Sequence, residues 1–294
     1  MYSRYGRSTL CTPAIAVDRY ARCHRSGADI CLVDLEDSVP PDRKAQARQL
    51  AAGFFGPDAG PVRCAIRVNT VTEPDGLRDL LAVRDYPVPP GIVLVPKVES
   101  PRDLEIVESV LRPGCPQLEL LAVIETPRGL DRSDVIARSS DRLRGLIFGS
   151  ADYAAAMGIG LGWESLVYAR SRLANSARAA GIEAIDSPQF DLTDLGLLRR
   201  EAEGALGLGY SGKIALNPRQ VTVINEVFSP GTDELEHARQ VVLAGHRAGR
   251  AIATVGSSMV GRPFFEASQR LLDEFAPAAG PFPHPDQHPD LETR

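Results

Sequence analysis

Two carboxylates in this chain each follow a mainly apolar run. Glu125 follows Leu118 to Ile124, and Asp152 follows Leu146-Ile147-Phe148-Gly149-Ser150-Ala151. If the two runs are neighbouring strands, the carboxylates converge at the strand ends. A carboxylate pair with positions left for water and substrate oxygens suits Mg2+ or Mn2+, which take oxygen ligands. It does not suit structural zinc, because no Cys or His accompanies the pair. The same residues can instead open helices. Glu125-Thr126-Pro127 reads as a helix start, and Asp152 precedes an apolar stretch. The local sequence leaves both readings open.

Arg67 ends a third run, Val62 to Ile66, with Asn69 behind it. A guanidinium there can grip a substrate carboxylate at two points. It can also form an internal ion pair with Glu36 or Asp37, and one such acid could orient it for a ligand. Asp34-Leu35-Glu36-Asp37 concentrates charge after Ile30 to Val33. At least one of these acids is expected to point inward and orient Arg67 or a water on the cation; a solvated acidic loop is the alternative. Lys97 follows Pro96, after the run Ile92 to Val95. A strand lysine can form a Schiff base, but beside Glu99 a salt-bridged structural role is expected. Gly149, Gly158, Gly160 and Gly162 surround the sixth loop without a GxGxxG or Walker pattern. A phosphate cradle is therefore less expected than a backbone that turns tightly or approaches a substrate. Gly149, Ala151 and Asp152, with Arg67, are the expected substrate contacts.

These residues need a scaffold that gathers strand ends. Two further runs complete a set: Ala184-Ile185 before Asp186, and Ile214-Ala215-Leu216 before Asn217. Apolar runs without alternation read as strands buried on both faces, hence a parallel sheet. Polar residues at the C-terminal end of each strand are the mark of a (β/α)8 barrel. A first strand over Thr9 to Thr12 brings the number to eight. Helices are expected over Val17 to Ser26, Lys44 to Phe55, Gly76 to Val83, Pro101 to Leu111, Gly129 to Arg138, Glu164 to Ala180, Leu192 to Leu206 and Pro218 to Phe228. Strand six is expected to lead into a Gly-rich loop through Gly162. An open doubly wound sheet is the alternative.

The expected organisation is an α/β TIM barrel over residues 1–228 and a C-terminal helical extension over 229–275. Two helices of the extension, Asp233 to Gly249 and Pro263 to Phe275, carry apolar faces that need a partner, which points to an oligomer interface. A disordered tail is expected over 276–294, where His284 and His288 carry no metal expectation. A net charge of −5 gives none of the basic footprint of a nucleic-acid binder. No run of 18 apolar residues suggests a membrane span, and Met1 to Ser8, with Arg4 and Arg7, lacks the apolar core of a signal peptide. Five scattered cysteines without a CxxC read as reduced thiols of a cytoplasmic protein.

A family resemblance rests on specific stretches. They are Gly27-Ala28-Asp29, Asp34-Leu35-Glu36-Asp37-Ser38-Val39 with Lys44, Arg67-Val68-Asn69, Pro96-Lys97-Val98-Glu99, Ile124-Glu125-Thr126, Phe148-Gly149 with Asp152, and Ala184-Ile185-Asp186. From about Arg7 to Leu272 the chain resembles the citrate lyase β-subunit-like proteins of the HpcH/HpaI aldolase superfamily, which includes malyl-CoA and citramalyl-CoA lyases. The resemblance implies a TIM barrel, usually trimeric or hexameric. It implies Mg2+ on Glu125 and Asp152, and Arg67 on the substrate's carboxylate or oxo group. A coenzyme A thioester becomes a possible substrate.

The chain departs from the family at three places. Asn217 stands where the coenzyme A lyases carry His, Gly256 stands where an Asp-Gly-x-Met motif supplies an acid/base, and Ala14 replaces a Gly. The expected activity is a Mg2+-dependent carbon–carbon lyase or aldolase acting through an enolate on a 2-oxo acid, hydroxy acid or 3-hydroxyacyl-CoA. Arg67, Glu36 and Asp37 are the expected catalytic groups, and malyl-CoA and citramalyl-CoA are expected to be poor substrates. The alternatives are a thioesterase or condensing enzyme on the same scaffold, or a non-catalytic metal- or ligand-binding relative.

Overall fold

Short strands rich in Val, Ile, Leu and Ala cannot expose either face to water, so they pair with one another and take helices on the outside. The computed structural model describes all residues except 1, 4, 57, 58, 61, 250 and 276–294. The expected tail with His284 and His288, and Arg4, lie outside the described residues. The chain divides into two compact units, one spanning Met1–Ser229 and a second beginning at Pro230.

The first unit is a closed parallel barrel of eight strands in sequence order. They are β1 (Ser8–Pro13), β2 (Ile30–Asp34), β3 (Arg63–Arg67), β4 (Ile92–Val95), β5 (Glu119–Ile124), β6 (Leu143–Phe148), β7 (Glu183–Asp186) and β8 (Gly212–Ala215). Closure comes from β1 pairing with β8, Thr9 opposite Ile214. Among the described residues, ten α-helices accompany the strands: α1 (Tyr20–His24), α2 (Lys44–Ala51), α3 (Pro74–Arg84), α4 (Pro101–Leu111), α5 (Pro127–Asp131), α6 (Ser133–Ala137), α7 (Ser150–Met157), α8 (Trp163–Ala180), α9 (Leu195–Gly207) and α10 (Pro218–Val227).

Proline opens α3, α4, α5 and α10, where its missing N–H costs nothing. Ser100 and Asp103 form a reciprocal capping box on α4. Gly158 and Gly181 end α7 and α8 in the left-handed conformation, at φ 68° and 75°.

Strand parity sorts the side chains into two cores. Ile30, Leu32, Ala65, Ile92, Leu94, Leu121, Val123, Ile147, Ile185 and Ile214 fill the barrel. The intervening residues, among them Cys31, Val33, Ile66, Leu146 and Phe148, face the helices in a second, larger core. Below the barrel filling, Tyr5 donates to Glu119 at 3.1 Å, and the Arg63 guanidinium lies 4.3 Å from the Tyr5 ring centre. The floor is thus closed, and the open end is at the strands' C-termini.

Several local expectations need correction. The stretch expected as a Gly-rich loop after β6 contains α7, because Ala154, Tyr153 and Ser150 bury one face of a short helix. Residues Val17 to Ser26 form one 3-10 turn, Val17–Arg19, followed by the five-residue α1. The helix expected over Gly129 to Arg138 is interrupted at Arg132, where φ/ψ of −100° and 9° leaves the helical region. Ser133 beyond the break is buried on Ser176 of α8, Oγ to Oγ 2.8 Å.

The second unit holds α11 (Thr232–Arg247), the strands β9 (Ala253–Val255) and β10 (Ser258–Val260), and α12 (Arg262–Phe275). The β9–β10 hairpin was not expected from sequence. Its two-residue turn is Gly256-Ser257, with Val255 opposite Ser258 and Gly256 at φ 58°. Primed hairpin turns of this kind demand a residue that tolerates positive φ. Gly245 lets the Phe265 ring lie against α11, since a Cβ there would meet the ring at 2.8 Å.

Candidate active site

The inward parity of the barrel extends beyond its apolar filling. In β2 it runs Ile30, Leu32, Asp34; in β3 Ala65, Arg67; after β5 it continues Leu121, Val123, Glu125. Asp34, Arg67 and Glu125 therefore top the barrel at the ends of β2, β3 and β5. Lys97 follows β4 between Arg67 and Glu125, and Asp152 stands in the first turn of α7, just after β6. β5 and β6 pair with Ile124 opposite Phe148, which sets Glu125 beside Gly149, three residues before Asp152, and both carboxylates line one cavity. A cavity of about 340 Å3 opens here, lined by Asp34, Asp37, Arg67, Glu125, Gly149, Ala151 and Asp152 over an apolar floor of Leu32, Leu94, Val123 and Ile147.

Arg67 is held mainly by Asp34, with Nε to Oδ1 at 2.6 Å and Nη2 to Oδ2 at 2.8 Å. Glu36 Oε2 lies 3.0 Å from Nη1 and Asp37 Oδ2 3.7 Å. Glu36 and Asp37 are thus secondary partners, and the main one is the buried Asp34, directly opposite Arg67 in the β2–β3 register. Burial opposes ionisation of Asp34, but the Arg67 guanidinium and N–H donors from Ser38 and Glu36 outweigh it, holding its carboxyl below the usual range. Burial likewise opposes the Arg67 charge, and Asp34 more than compensates. Burial raises the Glu36 carboxyl, and neighbouring Asp37 adds to the rise.

Glu125 is almost fully buried, and burial with the negative charges of Glu36 and Asp152 pushes its pKa up to about 8. One of its oxygens, Oε1, accepts the Lys97 backbone N–H at 2.9 Å. Gly149 faces its side chain so closely that any Cβ would overlap the Glu125 Cβ and Oε2. The expected close approach at Gly149 is therefore made by Glu125. Glu125 does not cap α5; Thr126 does, accepting from Gly129 N at 3.0 Å.

Lys97 differs from its expected pairing. Its ammonium bridges Glu36 Oε1 at 2.9 Å and Asp152 Oδ2 at 3.2 Å, while Glu99 takes the Thr126 hydroxyl and Arg128. Lys97 is also the one non-glycine among the described residues with positive φ, at 50°. Such a conformation costs a side-chain-bearing residue about 1–2 kcal/mol. Lys44, which the sequence placed on a helix and among the residues of the family resemblance, supports the site from outside the cavity lining. Its Nζ donates to the Leu35 and Glu36 carbonyls and to Asn69 Oδ1 at 2.7, 2.7 and 2.6 Å, fixing the turn after β2.

Glu36 and Lys97 stand behind the cavity lining, in contact with its Arg67 and Asp152, whereas Asp186 and Asn217 are not in the lining and serve elsewhere. Asp186 has outward parity and is buried on Arg170 Nε at 2.8 Å and Lys213 Nζ at 2.5 Å, between barrel and helices. Asn217 caps α10 in a box with Gln220. A second cleft of about 630 Å3 lies beside the first and shares Ser150, Pro188 and Phe190 with it, but Arg67, Glu125 and Asp152 do not line it.

The donor set fits a hard divalent cation. Asp34, Glu36, Asp37, Glu125 and Asp152 face only Arg67 and Lys97, which leaves an excess of negative charge around the cavity. Among the described residues no group of three or more His, Cys, Asp or Glu side chains is placed to hold a metal ion, so the protein would supply two ligands. Glu125 and Asp152 would leave the remaining positions to water and substrate oxygens, as Mg2+ prefers.

Comparison with known proteins agrees with this geometry. The chain is 31% identical over 287 residues to the citrate lyase subunit beta of Escherichia coli (strain K12), covering 92% of this chain and 93% of that protein. It is 28% identical to the mitochondrial citramalyl-CoA lyase of Homo sapiens, covering 90% and 84%. The structure superposes with a TM-score of 0.78 and 26% identity on the protein CitE of Mycobacterium tuberculosis in complex with magnesium, acetoacetate and coenzyme A, covering 92% of this chain and 97% of that one. Residues 7–218 match the family described as HpcH/HpaI aldolase/citrate lyase, and the chain belongs to that family.

Proposed function

We propose that this protein is a Mg2+-dependent carbon–carbon lyase or aldolase acting on a 2-oxo acid, hydroxy acid or 3-hydroxyacyl-CoA. The observation that carries the reading is one cavity holding the Asp34-locked fork of Arg67 on one wall and the carboxylates Glu125 and Asp152 on another. Mg2+, when bound by Glu125 and Asp152, supplies positive charge where an enolate oxygen develops.

Arg67 does the complementary work. Asp34 takes Nε and one Nη2 hydrogen, so the guanidinium is fixed in the plane of the cavity wall with N–H donors left for a substrate carboxylate or oxo group. The apolar floor lowers the local dielectric and strengthens that contact. Ala151, with no bulk beyond a methyl, leaves space beside Asp152 for the ligand, while Gly149 makes room for the Glu125 side chain. Glu36 is the base of choice. Its Oε2 is buried 3.0 Å from Arg67 Nη1 in an ion pair without hydrogen-bond alignment, and its raised proton affinity brings it closer to neutral pH. Asp37 is more exposed and serves as the second candidate. Lys97 is committed to two carboxylates, which leaves no role for a Schiff base.

The relatives named for citrate lyase and citramalyl-CoA lyase activity, and the neighbour that binds magnesium, acetoacetate and coenzyme A, support both the cation and a thioester-sized substrate. A homo-oligomer, trimer or hexamer, is part of the reading. α11 and α12 are amphipathic, and Ile252, Met259 and Phe264 of the second unit are exposed. Cytoplasmic location accords with five free thiols. No helix among the described residues is long and apolar enough to cross a membrane.

The test is a cleavage assay on purified protein with and without chelator. Free hydroxy acids are run beside malyl-CoA and citramalyl-CoA, and pyruvate, glyoxylate and acetyl-CoA are followed as products. Mg2+-dependent product release is expected from at least one class. Absence of cleavage and of the reverse condensation in saturating Mg2+ sinks the reading.

A further inference from the structure

Thirty-three residues of this chain are Lys or Arg, yet the lysines are Lys44, Lys97 and Lys213 alone. Each has a specific polar environment. Lys213 is fully buried on Asp186, and Lys44 is saturated by the turn after β2. Lys97 touches both expected Mg2+ ligands, with different atoms. Its backbone N–H clamps Glu125 Oε1, and its ammonium lies between Glu36 Oε1 and Asp152 Oδ2. The positive φ of Lys97 accompanies this double contact: main chain on one carboxylate, side chain on two others.

We propose that Lys97 is a positioning residue that holds the cation's place. Its ammonium keeps Glu36 and Asp152 together before Mg2+ arrives, and Mg2+ displaces it from Asp152. The inference rests on Glu125 and Asp152 being the Mg2+ ligands. A monovalent ammonium a hydrogen-bond length from a ligand oxygen neutralises part of the excess negative charge, and it also competes for that oxygen. Removing it therefore makes the metal-free protein less stable and the cation site more avid. The N–H on Glu125 belongs to the main chain, so a side-chain change leaves that clamp in place.

The experiment is calorimetric Mg2+ titration of chelator-treated protein for wild type, Lys97→Met, Lys97→Arg and Asp152→Asn. Lys97→Met is expected to bind Mg2+ about tenfold more tightly, since a like charge has gone from the site. Its metal-free form should melt lower than wild type. Lys97→Arg keeps the charge and should stay near wild type, and Asp152→Asn should lose binding. A merely structural role would weaken binding in Lys97→Met.

Wild type gives a second readout should Lys97→Met not fold. With three lysines, 15N-lysine labelling leaves three ammonium signals to follow, and the one missing in Lys97→Arg should shift with the same midpoint as the heat of binding. Equal or weaker binding by a folded Lys97→Met overturns the proposal, as does a Lys97 signal that stays fixed while Mg2+ saturates. No heat from wild type at all would instead overturn the Mg2+ assignment, and this inference with it.

Discussion

Arg67 and Asp34 face each other across neighbouring strands, and two of the guanidinium's nitrogens meet two carboxylate oxygens at 2.6 and 2.8 Å. Asp34 is fully buried, so the pair is a fixed part of the barrel's upper rim. A lysine could supply the charge but not the two-point geometry. Arg67→Lys should therefore lose about 10²-fold or more in kcat/KM, nearly as much as Arg67→Ala. Arg67→Ala should also destabilise the fold by about 3–5 kcal/mol, because Asp34 keeps a buried charge without its partner. Steady-state kinetics and urea unfolding of both variants check this; near-normal kcat/KM in Arg67→Lys would exclude the clamp.

Glu125 titrates at about 8 in the folded, metal-free protein, well above an ordinary glutamate, chiefly because it is buried. The native state then holds a proton that the unfolded chain releases from about pH 4.5 upward. This group's contribution therefore makes metal-free stability fall between the ordinary glutamate range and about pH 8. Mg2+ requires the carboxylate, so its affinity should rise with pH up to about 8 and level off beyond, with proton release on binding. Calorimetry in buffers of different ionisation heat measures that proton. Glu125→Gln should flatten the stability slope and abolish binding; a pH-independent Mg2+ affinity would contradict the assignment.

Gly149 has no room for a methyl group beside Glu125. Gly149→Ala is expected to push the Glu125 carboxylate aside and weaken Mg2+ binding at least tenfold while the far-ultraviolet spectrum stays native. Overpacking of this sort costs about 1–3 kcal/mol. Unchanged affinity in a folded Gly149→Ala would mean that Glu125 is not a ligand.

Asp186 neutralises two buried cations, Arg170 and Lys213, away from the cavity. Asp186→Ala should cost about 3–5 kcal/mol of stability, since both positive charges would remain buried. Mg2+ affinity, measured at a temperature where the variant is folded, should be unchanged. Thermal unfolding alongside Mg2+ titration separates the two, and a fall in affinity at unchanged stability would place Asp186 in the site after all.

The sequence by itself determined the barrel. Apolar runs at regular spacing, each followed by a polar residue and a helix signal, admit few other folds, and β6 and α4 were legible to their end residues. It also placed Arg67 and Glu125 at strand ends and Asp152 shortly after another, on the open side. It did not reveal which way a strand-end residue points, because runs buried on both faces hide their parity. Asp34 and Asp186 look alike in sequence, yet one residue of parity sends Asp34 into the barrel onto Arg67 and Asp186 outward onto Arg170 and Lys213.

The partners of Lys97 were equally hidden. Glu36 lies 61 residues away in sequence, and nothing in the local sequence marks a lysine that must adopt positive φ. Glu99, two residues on, was the near choice. Closing the barrel fixed the distances between walls, and with them which charges neutralise one another. Charge pairing between distant segments is decided by the tertiary structure, since each contact depends on register and parity set by all eight strands together.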